Sequence, residues 1–165
     1  MPIDPNEFRR VMGTFATGVT VITMPTRDGA WGMTANSVTS LSLVPTLVLV
    51  CVDKSTRTYQ HIQASGVWAV NVLAADQENV SRTFALKDIE EERTMVGTPY
   101  RKGVTGAPII EGSLSYMDCR TWATYDGGDH TIFLGEVQDA AVAREDGQPL
   151  LFFKGRYGRL ADPPS

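Results

Sequence analysis

Hydrophobic and polar positions along this chain alternate between a helical and a strand-like period, and the changes of period predict its elements. Asp4-Pro5-Asn6-Glu7 predicts a helix start: Asp4 caps, Pro5 suits the first turn, and Glu7 has capping-box spacing. Phe8, Val11, Met12 and Phe15 then share one helical face, and Gly18 is the expected stop. Val19 to Thr23 is rich in β-branched residues and predicts a strand. A turn at Arg27-Asp28-Gly29 leads to a short strand from Trp31 to Ala35. Leu47 to Val52 is apolar at every position, which predicts a strand covered on both faces.

Ser55 is the expected cap of a helix carrying Tyr59, Ile62 and Gln63, and Val67 to Leu73 predicts the next strand. Asp76 is the expected cap of a helix through Phe84, and residues 86–106 read as a short helix followed by a loop. Leu114 to Tyr125 and His130 to Val142 flank Asp126-Gly127-Gly128-Asp129, a strong hairpin signal. Leu150 to Phe153 closes the series as a last strand. Strands cluster and helices are few. The expected class is therefore mainly β with flanking helices, a small closed or half-closed barrel, organised as a single domain over residues 1–165.

Composition narrows the function classes. Hydrophobic residues make up 42% and charged residues 21%, the profile of an ordinary globular chain. A net charge of -4 without a basic run speaks against nucleic acid or an anionic membrane surface as partner. No apolar run approaches the ~18 residues of a spanning helix, and Met1 to Pro5 has no signal-peptide pattern, so the expected compartment is the cytoplasm. Cys51 and Cys119 both lie in apolar strand-like runs and read as reduced, buried thiols. His61 and His130 are the only histidines, too few for a catalytic zinc site, and no metal is expected.

Five stretches carry candidate chemistry. Gly13 to Gly18 has the outer spacing of a phosphate loop, but Val19 stands where that loop requires Lys. Thr34-Ala35-Asn36-Ser37-Val38-Thr39-Ser40 packs five hydroxyl or amide side chains into seven residues. It is either a solvated loop or an anion cradle of short side chains and backbone N–H groups. Cys51 to Thr58 runs from a strand into a helix N-terminus flanked by Lys54 and Arg57, which is either a plain cap or an anion site. Gly127 and Gly128 serve a hairpin turn, whereas His130 beside Asp129 is either structural or a group that orients a substrate. Phe152 to Arg159 mixes aromatic and basic residues, as a nucleotide-stacking segment or a strand end would.

In this order, these pieces resemble the flavin reductase family, the small NAD(P)H:flavin oxidoreductase components of two-component monooxygenases. The matching residues are Phe15 to Thr23, Gly32 to Ser37, Pro45, Leu47 to Ser55, Gly128-Asp129-His130 and Phe133 to Val137. The likeness covers about residues 6–160. It implies a split β-barrel that binds FMN or FAD, takes electrons from NADH or NADPH, works as a homodimer and hands reduced flavin to a separate oxygenase.

The resemblance places the flavin phosphate and ribityl chain on Thr34, Ala35, Asn36, Ser37 and Ser40. It lines the flavin with Cys51, Val52, Asp53, Ser55, Arg57 and Thr58, and brings Arg82, Phe84 and Tyr157 to its periphery. Gly128, Asp129 and His130 match the motif associated with the nicotinamide, with His130 as the catalytic residue. Val38 departs from the family, which commonly has Phe there, and this bears on flavin preference. The rival readings are a flavin-binding electron-transfer or storage module without NAD(P)H turnover, a reductase of another acceptor such as a corrinoid or ferric complex, and a pyridoxamine-phosphate-oxidase-like enzyme, which the Gly-Asp-His hairpin disfavours.

Overall fold

The structure, a computed structural model, describes residues 1–85 and 94–161. The elements in chain order are α1 (Pro5–Met12), β1 (Thr17–Gly18), β2 (Thr20–Thr26), β3 (Gly29–Ala35), β4 (Val38–Leu43), β5 (Thr46–Asp53) and α2 (Arg57–Ser65). They continue with β6 (Val67–Val72), α3 (Glu78–Ala85), β7 (Tyr100–Lys102), β8 (Pro108–Ile110), β9 (Ser115–Gly127), β10 (His130–Val142), β11 (Leu151–Phe153) and β12 (Arg156–Gly158).

Seven strands form one antiparallel sheet in the order β3-β2-β6-β9-β10-β5-β4. Its two edge strands, β3 and β4, are consecutive in the chain and joined only by Asn36 and Ser37. Two residues span at most about 7 Å, so the sheet curls until its edges meet at that corner. The result is the expected mainly-β split barrel with flanking helices, its seam between β3 and β4. A bulge helps the curl: the β9–β10 register shifts at Leu134/Gly135, opposite Trp122. A Cβ on Gly135 would come within 2.5 Å of the Trp68 ring, so glycine there lets the indole lie across the sheet. The Trp68 indole N–H donates to the Thr121 hydroxyl at 3.1 Å.

The barrel core comprises Ile22, Met24, Trp31, Val48, Val50, Val52, Ile62, Trp68, Val70, Cys119 and Phe133, closed on one side by α2. A second cluster, including Val21, Leu73, Phe84, Ile110 and Leu150, lies outside the barrel beneath α3. Between them β2 is buried on both faces. Asn71 fastens β8 to this outer face: its amide donates to the Val21 carbonyl (3.1 Å) and the Thr23 hydroxyl (2.9 Å), and its oxygen accepts from Ile110 N–H (2.8 Å).

Several expectations are corrected. The first helix starts as read, with Asp4 accepting from the N–H groups of Asn6 and Glu7. It ends at Met12 rather than at Gly18, because Thr17 and Gly18 pair with β11. Only one face of β5 is fully buried, through Val48, Val50 and Val52; Leu47, Leu49 and Cys51 are half-buried. Within the expected Thr34–Ser40 loop, Val38 to Ser40 belong to β4.

The cap of α2 is Thr56, which accepts from Tyr59 N–H, and not Ser55. Asp53 holds Ser55 in the preceding turn by accepting from its N–H (2.8 Å) and hydroxyl (2.7 Å). Asp76 pairs with Arg144, while the Gln77 carbonyl accepts the α3 bond from Ser81 N–H. Tyr100 to Lys102 form a strand with β8 instead of a loop, and the short helix expected after Ala85 falls partly outside the described residues. Among the described residues no helix is long and apolar enough to cross a membrane, and no three metal-ligating side chains converge.

Candidate functional site

The barrel seam opens into a cleft of about 590 Å³. Its polar wall is the two-residue corner, Asn36 and Ser37, continued by Thr39 on β4. Its floor is the half-buried face of β5, where Leu49 and Cys51 point outward, and Met12, Phe15 and Phe152 form the apolar wall opposite. Thr39 pairs with Leu49 and shares its face; Val38, on the other face of β4, also lines the cleft, whereas Ser40 does not.

Ser37 is committed to the frame. Its hydroxyl donates to the Cys51 carbonyl at 3.1 Å, and Cys51 N–H donates to the Ser37 carbonyl at 3.2 Å. Those bonds clip the corner to β5. Asn36 makes no side-chain hydrogen bond among the described residues, so its amide is available to a ligand. Thr17, in the cleft wall, has a buried hydroxyl with no partner. An unpaired buried hydroxyl is costly and marks a place where a bound group would supply the missing bond.

A smaller recess of about 150 Å³ adjoins the cleft at Asn36 and is bounded by Thr34, Ala35, Ser81, Phe152 and Tyr157. Thr34 donates its hydroxyl to the Ser81 carbonyl at 2.6 Å, and the Ser81 and Tyr157 hydroxyls are 2.7 Å apart. Arg82 lays its guanidinium over the Tyr157 ring, 4.8 Å from its centre, and pairs with Glu78 at 2.6 Å. Thr34, Ala35 and Tyr157 therefore line one recess, with Arg82 stacked on Tyr157 beside it.

The hairpin tip lies at the far end of the same β5 face. His130 pairs with Asp53, and Ile132 with Cys51. A diagonal neighbour on an antiparallel pair is about 8 Å away, which sets His130 beside Cys51. Gly128 takes φ +81°, the conformation a two-residue hairpin loop demands at that place. The half-exposed His130 ring bonds through Nδ1 to the Asp129 carboxylate at 2.7 Å. That bond and the charge of His130 hold the Asp129 carboxyl below the usual aspartate range. The Lys54 ammonium reaches the Asp126 carboxylate and the Gly128 carbonyl, tying the tip to the β5–α2 turn.

Ser40, Asp53 and Ser55 line neither the cleft nor the recess, and four further expected residues sit apart from both. Val52 is core. Thr58 is fully buried, its hydroxyl accepting from the Trp31 indole N–H at 2.9 Å. Phe84 is buried with its ring against Gly32, where a Cβ would lie 2.7 Å from it. Arg57 lines a separate cleft of about 720 Å³ with Trp31 and His61. Burial and the Arg57 charge push the His61 pKa down, so its ring is neutral at pH 7.

Thr17 and Ser81 were not anticipated. Thr17 lies in the stretch set aside because Val19 stands where a phosphate loop requires Lys, and nothing in the local pattern marks Ser81.

The arrangement is a cleft with apolar walls, the polar groups of Thr17, Asn36, Ser37 and Thr39 and the cationic Arg9 in its lining, and His130 further along the sheet face that forms its floor. Unpaired neutral donors and an apolar floor fit a planar, phosphorylated cofactor such as a flavin. The chain belongs to the family described as flavin reductase like domain, whose model matches residues 12–161. It is similar to the reductase subunit HsaB of a flavin-dependent monooxygenase from Mycobacterium tuberculosis, 44% identical over 156 residues, covering 94% of this chain and 82% of that protein. It is also similar to the NADH-dependent FMN reductase SmoA of Agrobacterium fabrum, 40% identical over 154 residues, covering 93% and 85%. Among solved structures, the NADH:FAD oxidoreductase SgcE6 of Streptomyces globisporus in complex with NAD and FAD fragments superposes with a TM-score of 0.89, at 40% identity, covering 100% of this chain and 99% of that one.

Proposed function

We infer that this chain is an NAD(P)H-dependent flavin reductase that uses NADH or NADPH to reduce FMN or FAD, and that it delivers reduced flavin to a separate oxygenase component. The observation that carries this reading is the seam cleft, with the free Asn36 amide and the orphaned Thr17 hydroxyl at one part and His130 at the end of the same sheet face. A bound flavin supplies the redox chemistry by accepting a hydride from the reduced nicotinamide. The chain's own residues bind and orient. Asn36 and Thr17 donate to the polar atoms of the flavin, with Thr34, Arg82 and Tyr157 at the adjoining recess. Leu49, Cys51 and Phe152 exclude water from its ring. His130 holds the nicotinamide against the exposed side. Hydride transfer needs alignment at roughly 3–3.5 Å more than it needs an acid or base, and among the described residues no carboxylate lines the cleft.

The chain acts as one cytoplasmic unit over residues 1–165 and works as a homodimer. Helix α1 buries none of its residues against its own chain, and Phe8, Val11, Met12 and Phe15 are all exposed. An amphipathic helix gains stability only by covering its apolar face, and Met12 and Phe15 also line the cleft, so a twin seated there completes the wall.

Turnover at 340 nm with each pairing of FMN or FAD with NADH or NADPH tests the activity. Asn36→Ala is expected to raise the flavin Kd. His130→Ala is expected to raise KM for the nicotinamide while leaving flavin affinity in place. Absence of NAD(P)H oxidation in folded, flavin-saturated protein would refute the reading.

A further inference from the structure

We propose that Lys54 is the positioning residue of His130: it fixes the hairpin tip so that the imidazole presents Nε2 to the nicotinamide. This rests on the reading that His130 orients that ligand.

The geometry makes a continuous chain of contacts. Strand β5 ends at Asp53, opposite His130, so the tip residues beyond that pair have no further strand beside them. Lys54 takes the place of a strand. Its backbone N–H donates to the Asp129 carbonyl at 3.0 Å. Its ammonium donates to the Gly128 carbonyl at 2.5 Å and to the Asp126 carboxylate. The tip is thereby gripped on both sides of its turn. Asp129, held by its backbone, reaches Nδ1 of His130 at 2.7 Å. That bond assigns Nδ1 as the donor to the carboxylate and leaves Nε2 as the ring nitrogen open to a ligand.

An exposed hairpin tip with a Gly at its turn is inherently mobile. A ring required only to fill space would need no such tie. Lys54 itself projects from the turn after β5 and lines neither the cleft nor the recess. Its effect therefore passes through the tip.

The test compares Lys54→Met and Lys54→Arg, each alone and combined with His130→Ala, by steady-state kinetics and flavin titration. Lys54→Met is expected to raise KM for NADH or NADPH roughly three- to ten-fold, with the flavin Kd unchanged. Lys54→Arg, which keeps a charged donor, is expected to recover most of the loss. In the His130→Ala background Lys54→Met should have no further effect on KM. Asp126→Asn, which weakens the same tie from the other side, should raise KM in the same direction by less.

An unchanged KM in Lys54→Met, where His130→Ala does raise it, overturns the proposal and leaves the role of His130 standing. An equal penalty with and without His130 shows that Lys54 meets the ligand directly and also overturns it. A rise in flavin Kd matching the rise in KM does the same. If His130→Ala changes neither constant, the reading beneath the proposal fails first.

Discussion

Replacing Thr58 with Val separates a frame residue from a cofactor ligand. The two side chains have nearly the same shape, so the substitution leaves packing intact and removes one acceptor. Trp31 and Thr58 are both buried, and the indole N–H has the Thr58 hydroxyl as its partner at 2.9 Å. A buried donor stripped of its acceptor costs about 1–3 kcal/mol. For a chain of this size each kcal/mol lowers Tm by roughly 2–4 °C, so Thr58→Val is expected to melt between about 2 and 12 °C below the parent. Thermal or urea unfolding without added flavin measures this, and a flavin titration at 25 °C should give an unchanged Kd. Removing both partners, as in Trp31→Phe with Thr58→Val, should cost less than the sum of the single changes. A variant of parental stability that binds flavin more weakly would refute the argument and place the hydroxyl on the cofactor.

Three further outcomes follow from the packing and the charges. Gly32→Ala forces a methyl to within 2.7 Å of the buried Phe84 ring; it should cost about 1–3 kcal/mol and, by displacing α3 with Ser81, weaken flavin binding, read by unfolding and titration together. Burial pushes the Cys119 thiol up to about 12, whereas Cys51 is raised less and lies in the cleft; iodoacetamide at alkaline pH should label Cys51 alone in the folded protein, and FMN or FAD should slow it, as peptide mass spectrometry would show. Arg144 hydrogen-bonds the Asp76 carboxylate and holds its pKa down. A carboxylate depressed in the folded state adds stability above its ordinary range and loses it as pH falls, so Arg144→Met should flatten the decline in stability below about pH 4, by under about 1 kcal/mol because the pair is exposed.

The long hairpin, the β2–β3 turn and the start of α1 were legible because each rests on a short-range signal: a Gly-rich turn, alternation, or a capping box. The seam was not. Thr39 and Ser40 are exposed on an edge strand and only Val38 is half-buried beside them, so the start of β4 has the Ser/Thr composition of a loop and gives no apolar alternation to read. The continuous apolar run in β5 suggested cover on both faces because sequence cannot distinguish a second protein layer from a cleft.

Site residues divide along the same line. Asn36, Ser37, Cys51 and His130 were named because a motif places them; the first three line one cleft, and His130 lies further along the β5 face. Thr58 and Phe84 lie in equally recognisable stretches, yet their side chains point into the core, an outcome fixed by helix phase. Ser81 and Thr17 join the site only through long-range pairing, of α3 with β12 and of β1 with β11.

The corner at Asn36 and Ser37 acts as a parity lock. A strand shows its side chains to alternate sides, so adding or deleting one residue there would turn Thr39 toward the interior and exchange the two faces of β4. Swapping the residues in that connector can tune the ligand; changing their number inverts an entire edge of the barrel. Variation in connector length should therefore accumulate at other turns of the molecule, while this one tolerates changes of identity alone.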